Sequence, residues 1–364
     1  MFNVIEELKE TKKPPKHIAD FSLKERKEFA KQLGIPGFRA DQVSRHWFAN
    51  LNNDFSSWTD LPNEERNQIA AKLTPQLLTE KKLQKADQGN TVKTLWQLYD
   101  GLFVESVLMH YPNRTTICIS SQAGCGMACP FCATGQLGLK RNLSAAEIVS
   151  QVQLGSIYAA TGQLPDGPSR LSNIVFMGMG EPLANFKAVL QSIHAIHELP
   201  PNGLGISARN ITVSTVGLVP KINELAKIGL PVRLAVSLHA PNDELRNTLV
   251  PVNQRYPIKD VLNASWNYAQ IIGRRVSIEY ALIKEINDQK IHAQQLAKLL
   301  KGKDVHVNLI PLNPTPGSKW TASDKKDESN FVTILQDSEI AVTVRDTRGR
   351  EIDGACGQLA ATVN

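Results

Sequence analysis

The chain has 364 residues, 42% hydrophobic and 21% charged, a composition typical of a soluble globular protein. This length permits two or three domains, and the sequence shows neither an apolar run long enough to span a membrane nor a signal-peptide pattern at its start. The net charge of +6 favours a polyanionic partner, although many basic proteins bind none. Because the five cysteines are an odd number in a large chain, a secreted disulfide framework is disfavoured, and we expect a cytoplasmic protein with reduced thiols.

The segment before about residue 85 is predicted to be helical. Ser22 and Glu25 form a capping-box pattern at the start of one helix, and Val43, Trp47 and Phe48 share a face of a second. Basic residues recur through the segment, at Lys24, Arg26, Lys27, Arg39, Arg45, Lys81, Lys82 and Lys85. They suit either a solvated helical face or a module that holds RNA phosphates, and the pattern leaves these two interpretations nearly even.

Residues 91–109 change to an alternating pattern around Asp100-Gly101, which is a strong β-hairpin signal. Glu105 falls on the second strand of this hairpin. A strand glutamate usually faces solvent, so we expect an outward side chain here, and the pattern alone gives it no role.

Beyond the hairpin, apolar segments of strand length alternate with helical segments. The strand-like runs are 115–120, 173–178, 210–214, 232–238, 276–283, 305–310 and 341–344, and helices are predicted at 144–160, 186–198 and 292–301 among others. This alternation is typical of an α/β fold whose parallel sheet is wound as a barrel or part of one. In such barrels the active site lies at the carboxyl ends of the strands, in the βα loops.

Three cysteines follow the first of these strands with the spacing C-x-x-x-C-x-x-C: Cys125, Cys129 and Cys132. Soft sulfur ligands this close together suit an iron–sulfur cluster. A four-iron cluster held by three thiolates leaves one iron open to an outside ligand. Structural zinc, which normally has a closed set of four ligands, is the main alternative.

The cysteine loop, with Phe131 just before its last cysteine, resembles the cluster loop of the radical S-adenosylmethionine (SAM) enzymes. The resemblance implies a [4Fe-4S] cluster on the three cysteines and SAM as the ligand of the open iron. Polar or glycine-rich residues at the strand exits would then contact SAM, namely Gly180, Glu181, Ser214, Ser237, Leu238, His239 and Asn313. Singly, several of these residues suit helix caps, whereas as a set around a cluster loop they favour ligand binding.

Four further segments sharpen the resemblance: 38–42, 178–183, 237–242 and 345–359. With the cysteine loop they closely resemble the RlmN/Cfr family of radical SAM RNA adenine methyltransferases, over about residues 20–362. The resemblance implies a partial (βα)6-type barrel with a small N-terminal helical accessory domain. The expected organisation is an RNA-docking helical domain at 1–88, a β-hairpin extension at 89–112, and a barrel with a C-terminal methyl-carrier loop at 113–364.

The family's chemistry implies roles for three residues outside the cluster loop. Cys356 takes a methyl group from one SAM, and a second SAM, cleaved at the reduced cluster, gives a radical that removes a hydrogen from that methyl group. The methylene radical adds to carbon 2 of the adenine, which is too electron-poor to attack SAM directly. Glu105 would take the ring proton, and Cys118 would attack the sulfur of Cys356 and release the methylated base as a disulfide forms.

The resemblance also implies partners: 23S ribosomal RNA at the peptidyl-transferase centre, the tRNA anticodon loop, an electron donor such as flavodoxin, and a thiol reductant. Arg345, Arg348 and Arg350 would suit RNA phosphates. We expect a monomer without a membrane partner. One alternative is methylation of the same adenine at carbon 8. The other is a non-catalytic cluster-bearing RNA-binding factor, which would have no need of Cys118 and Cys356.

Overall fold

A computed structural model of the chain describes residues 13–315, 318–345 and 348–360. Residues 1–12 of the predicted helical domain and 361–364 of the predicted barrel lie outside this range. The helices are α1 Leu23–Gln32, α2 Gly37–Ser44, α3 Arg66–Leu73, α4 Ala133–Gln136, α5 Ala145–Ala160, α6 Phe186–His197, α7 Val219–Ile228, α8 Asp243–Leu249, α9 Ile258–Ile272, α10 Lys290–Leu300 and α11 Lys325–Asp337. The strands are β1 Leu78–Ala86, β2 Thr91–Leu98, β3 Phe103–Tyr111, β4 Arg114–Cys118, β5 Gln122–Gly124, β6 Leu139–Asn142, β7 Leu171–Phe176, β8 Ile211–Thr215, β9 Arg233–Ser237, β10 Val276–Leu282, β11 Val305–Pro311 and β12 Ala341–Val344.

One large open sheet organises the fold, in the order β1-β2-β3-β4-β7-β8-β9-β10-β11-β12. The first three pairings are antiparallel, and every pairing from β4 to β12 is parallel. Helices connect most of the parallel strands, so the carboxyl ends of the strands share one rim. The mixed α/β fold with its central sheet confirms the predicted fold class.

Each of the seven strand-like runs predicted after residue 113 overlaps a strand of the parallel sheet. Two features differ from the prediction. β1 lies in the segment that was expected to be helical to about residue 85, because its polar sequence gives no clear alternation and its place at the sheet edge leaves most of it exposed. The short hairpin β5–β6, which flanks the cysteine loop, was not predicted either.

The N-terminal helices pack against the barrel and share its core. Trp47, Phe48 and Trp58 are buried in the same hydrophobic cluster as the barrel strands. Arg26 on α1 is buried and donates to the carbonyl oxygens of Pro201 (3.2 Å) and Asn202 (2.7 Å) in the loop after α6. A buried guanidinium therefore joins the helical module to the barrel. None of the described helices is long and apolar enough to cross a membrane.

The C-terminal segment, defined here as residues 348–360, lies against the carboxyl rim of the barrel. Ala133 N–H donates to Gly357 O (2.8 Å), and the Thr134 hydroxyl donates to Leu359 O (2.6 Å). At its other end, Arg348 donates to the carbonyl oxygen of His110 on β3 (2.7 Å). The segment therefore connects the antiparallel strands to the loop that carries the three cysteines.

Candidate active site

A cleft of about 990 Å³ opens at the carboxyl ends of the parallel strands. Its walls include the three clustered cysteines and all but one of the residues predicted from the strand exits: Cys125, Cys129, Cys132, Gly180, Glu181, Ser214, Ser237, His239, Asn313 and also Cys356. The exception is Leu238, whose side chain is fully buried and whose backbone N–H and C=O are both hydrogen bonded. Leu238 therefore lies behind the wall of the cleft.

The turn of the cysteine loop depends on close backbone packing. Cys125 N–H donates to Gly138 O (3.1 Å), and Cys132 N–H donates to Cys129 O (3.1 Å), which closes the turn. Gly124 has a φ of +75°, and a Cβ at this position would collide with the Gly138 carbonyl. Glycine is therefore required where the chain enters the loop.

The donor set of the loop fits an iron–sulfur cluster. Three thiols line one side of the cleft, and burial raises the pKa of Cys125 to about 11 and also raises the pKa values of Cys129 and Cys132. Within the described residues, no three His, Cys, Asp or Glu side chains converge on a position that a single metal ion could fill. In a four-iron cluster each cysteine binds a different iron, so the three thiols need not converge on one position.

Gly180 and Glu181 form a tightly built corner of the cleft. Gly180 has a φ of +101°, and an added Cβ would lie 2.5 Å from Gln122 Cβ, so the backbone can approach this closely only without a side chain. The Glu181 carboxylate accepts from the backbone N–H groups of Leu183 (3.0 Å) and Val216 (2.9 Å). Burial nevertheless raises the pKa of Glu181 to about 7. Glu181 thus fixes two strand-exit loops while lining the cleft.

The opposite wall presents a serine pair and a neutral histidine. The Ser214 and Ser237 hydroxyl oxygens lie 3.2 Å apart. His239 accepts from Ala281 N–H through Nδ1 (3.0 Å), and burial lowers its pKa to about 3. Because Nδ1 is an acceptor, the ring proton of neutral His239 resides on Nε2, which makes that nitrogen a donor. The ring packs edge-on against Phe131 with centroids 5.0 Å apart.

Two buried acceptors in the cleft wall have no hydrogen-bond partner among the described residues. They are Asn313 Oδ1 and Glu279 Oε2. Unpaired buried oxygens are rare in folded proteins and indicate a missing donor. A ligand that carries N–H or O–H groups, as SAM does, would satisfy them. The other side of the Asn313 amide donates to Cys356 O (3.0 Å), so Asn313 contacts the C-terminal segment as well as the cleft.

A second, smaller cavity of about 470 Å³ adjoins the cleft, and both Cys118 and Cys356 line it. Cys118 lies on β4, opposite Val107 on β3 and beside Val175 on β7. Burial raises the pKa of Cys118 to about 12, and the nearby Arg345 guanidinium opposes this rise. Cys356 lines both spaces, so the fold places the two solitary cysteines together at the edge of the cleft.

Glu105 does not face solvent, and that expectation is wrong. Only 3% of the residue is exposed. Its Oε1 lies 3.0 Å from Lys93 Nζ, and its Oε2 accepts from Ala360 N–H (3.0 Å). The carboxylate therefore faces the C-terminal segment, because the strands β2 and β3 are covered by that segment and not by water.

Some residues of the site were missed or misplaced from sequence. Lys93, Glu279 and Thr134 carry no motif signal, since their positions follow only from strand register and from the path of the C-terminal segment. Arg345, expected on RNA phosphates, lines both cavities beside the two cysteines. Arg348 packs over the Tyr111 ring at 4.1 Å from its centroid.

Comparison with known proteins agrees with this geometry. The sequence-family model of the radical SAM superfamily matches residues 119–296 of this chain. A protein of Nocardioides sp. named "Probable dual-specificity RNA methyltransferase RlmN" is 59% identical over 363 residues, which is 99% of this chain and 96% of the relative. A protein of the same name from Streptomyces griseus is 59% identical over 350 residues, or 96% of this chain and 95% of the relative. The crystal structure of a radical SAM methyltransferase from Sphaerobacter thermophilus is 44% identical, with a TM-score of 0.91 over 96% of this chain and 100% of that one.

Proposed function

The chain belongs to the RlmN/Cfr family of radical SAM RNA methyltransferases, and from that premise we propose that it methylates carbon 2 of an adenine. The proposed substrates are 23S ribosomal RNA at the peptidyl-transferase centre and the anticodon loop of tRNA. The observation that carries the proposal is the meeting of Cys118 and Cys356 in one small cavity beside the cleft. A protein that only bound RNA would have no use for such a pair.

The cofactors divide between two parts of the cleft. Cys125, Cys129 and Cys132 would hold a [4Fe-4S] cluster, and the walls near Gly180, Ser214 and Asn313 would hold SAM. When bound, the reduced cluster and SAM supply a carbon radical that can remove a hydrogen atom from a methyl group. One SAM serves this purpose and a second supplies the methyl group, so each turnover uses two.

Cys356 carries the methyl group in this proposal. Its carbonyl oxygen is held by the Asn313 amide, and the next residue, Gly357, has a φ of +84° and accepts from Ala133 N–H. Because Cys356 lines both the cleft and the small cavity, its sulfur can accept a methyl group on one side and meet Cys118 on the other.

Release of the base needs a proton acceptor and a resolving thiol. Glu105 would take the proton from carbon 2, for which the adenine has to displace Ala360 N–H from Oε2. The adduct radical would at the same stage return one electron to the oxidised cluster, which leaves a closed-shell thioether between Cys356 and the base. The Cys118 thiolate then attacks the Cys356 sulfur and forms a disulfide. The electron pair of the broken carbon–sulfur bond stays on the methylene carbon, which takes a proton and becomes the methyl group. A thiol reductant restores the two cysteines, and an electron donor serves the cluster.

We also propose that the N-terminal helical module docks RNA. Its basic residues support this, and so does its attachment to the barrel through Arg26, which would fix the orientation of a docked RNA relative to the cleft.

The test is the chemical identity of the product. The anaerobically reconstituted enzyme is incubated with SAM, a reductant and either ribosomal RNA or tRNA, and the digested nucleosides are separated by mass and retention time. We expect 2-methyladenosine, and none from the C356A variant, which is the matched control. A product of 8-methyladenosine would overturn the position of methylation, and the absence of methylated adenosine from both RNAs would overturn the activity.

A further inference from the structure

Five arginines lie at the amino-terminal ends of four neighbouring parallel strands, on the rim opposite the cleft. Arg170 precedes β7, Arg209 lies just before β8, Arg233 begins β9, and Arg274 and Arg275 precede β10. The four strands are consecutive neighbours in the sheet. At roughly 4.8 Å between strands, the arginines form a row about 14 Å long. We call this row the arginine rim.

The arginine rim is exposed and lacks neutralising partners. Four of its members are exposed, and Arg274 is half-buried. In the part of the chain that the structure describes, no Asp or Glu lies within ion-pair distance of any of the five guanidinium groups. Arg274 instead donates to the carbonyl oxygens of Arg209 (2.8 Å) and Pro231 (2.6 Å).

The arginines repel one another. Ser277 and Ala235 are register partners on β10 and β9, so two residues earlier on each strand Arg275 lies beside Arg233 on the same face. Like charges at such positions destabilise a sheet. The pKa of Arg274 is lowered by burial and by the charges of Arg233 and Arg209, which is the mark of crowded cations. Arg233 also opposes the rise in the pKa of the buried Glu279, but no carboxylate of the described residues forms an ion pair with the rim. An arrangement with this cost and no ion-paired counter-charge is suited to an external anion.

We propose that the arginine rim is a second RNA-docking surface, which binds phosphates of a large folded RNA whose target adenine occupies the cleft. The inference rests on the proposed RNA methyltransferase function. Guanidinium groups match phosphate oxygens with paired N–H donors, and a row of this length can meet more than one phosphate. An electron donor is a poorer partner, because it has to approach the cluster cysteines, which lie at the opposite rim.

The position of the arginine rim predicts that it affects binding of one proposed substrate and not of the other. The strands between the rims have five to seven residues at β8 to β10, so the rims lie on the order of 20 Å apart and face away from each other. A tRNA that inserts its anticodon loop into the cleft directs its other arms away from the barrel. Ribosomal RNA extends in several directions around its target base and can reach both rims. The arginine rim therefore contributes to ribosomal RNA binding and leaves the anticodon arm unaffected.

The test compares two triple variants of the holoenzyme. R209E/R233E/R275E reverses three charges of the rim, and K227E/K259E/K298E makes the same charge change at exposed lysines on α7, α9 and α10. Affinity for a 23S RNA domain is measured over a range of salt concentrations, and methylation is measured on that RNA and on an isolated anticodon stem-loop. A milder variant, R209Q/R233Q/R275Q, is used if the reversal lowers the iron content of the enzyme.

For the rim variant we expect the affinity for ribosomal RNA to fall about tenfold or more. We also expect the salt slope, which is the slope of log affinity against log salt concentration, to decrease by about 2, because each lost phosphate contact lowers it by about 0.7–0.9. Stem-loop methylation should stay within about twofold of the parent enzyme, and the lysine variant should lose less on both RNAs. An unchanged salt slope, an equal loss in the lysine variant, or an equal loss on the stem-loop would overturn the proposal. So would a selective loss of reduction by an acidic electron-transfer protein. If the parent enzyme methylates neither RNA, the proposed function itself has failed.

Discussion

At the scale of single residues, Cys118 and Cys356 share one cavity but act at different times in the proposed reaction. C356A should stop the reaction before any bond to RNA forms, whereas C118A should stall with RNA attached to Cys356. A thiol held beside the thioether acts at high effective molarity, so bulk thiols should replace it poorly. A denaturing gel with labelled RNA should show a slow, ribonuclease-sensitive band for C118A alone. The absence of an adduct in both variants would exclude the methyl-carrier mechanism.

Burial of Cys118 predicts how release of the base depends on pH. A thiol whose pKa is raised to about 12 is mostly protonated near neutral pH, and its thiolate fraction grows tenfold with each unit of pH below that value. Decay of the preformed adduct should therefore accelerate about tenfold per unit between roughly pH 6.5 and 8.5. R345Q should slow the decay, because the Arg345 charge lowers the pKa of Cys118. A flat profile, measured by quenching at successive times, would contradict this account.

At the scale of elements, Arg26 attaches the helical module to the barrel together with the hydrophobic core that the two share. Arg26 donates to four backbone carbonyls, those of Ile18, Phe21, Pro201 and Asn202. R26L should lower the free energy of unfolding by about 3 kcal/mol, because buried carbonyl oxygens lose their donors. K24L, on the exposed face of the same helix, should change it by less than about 0.5 kcal/mol. Urea unfolding of both variants would check this, and equal losses would mean that the attachment lies elsewhere.

Several elements could be predicted from sequence and others could not, for physical reasons. The parallel strands are apolar because helices and neighbouring strands cover them, so β9, β10 and β11 stand out in the chain. β1 carries four charged residues and is held at the sheet edge by backbone pairing, which side-chain patterns do not report. The Glu105 side chain is buried because the C-terminal segment covers it. No local sequence pattern relates residue 105 to residue 360. Within the site, only the cysteine loop and the strand exits can be recognised from short stretches of sequence.

At the scale of the whole molecule, cluster binding should depend on three of the five cysteines and not on the other two. C125A/C129A/C132A should remove the visible iron–sulfur absorbance of the reconstituted protein. C118A/C356A is a matched control, since it removes cysteines from the same region and should keep the absorbance and the iron content. Stoichiometric zinc in the parent protein, or absorbance retained by the triple variant, would show that the three cysteines do not hold a four-iron cluster.

The C-terminal segment is tied to the residues that directly follow the last cluster cysteine, through Ala133 and Thr134. Free energy that orders the cysteine loop therefore also orders the segment, and by reciprocity an ordered segment favours a loop that is ready for its cluster. Oxidative loss of the cluster would loosen both. In the proposed reaction, such a molecule would lose the alignment of Cys356 before a covalent adduct with RNA could form. The two hydrogen bonds thus couple the order of the C-terminal segment to that of the cysteine loop.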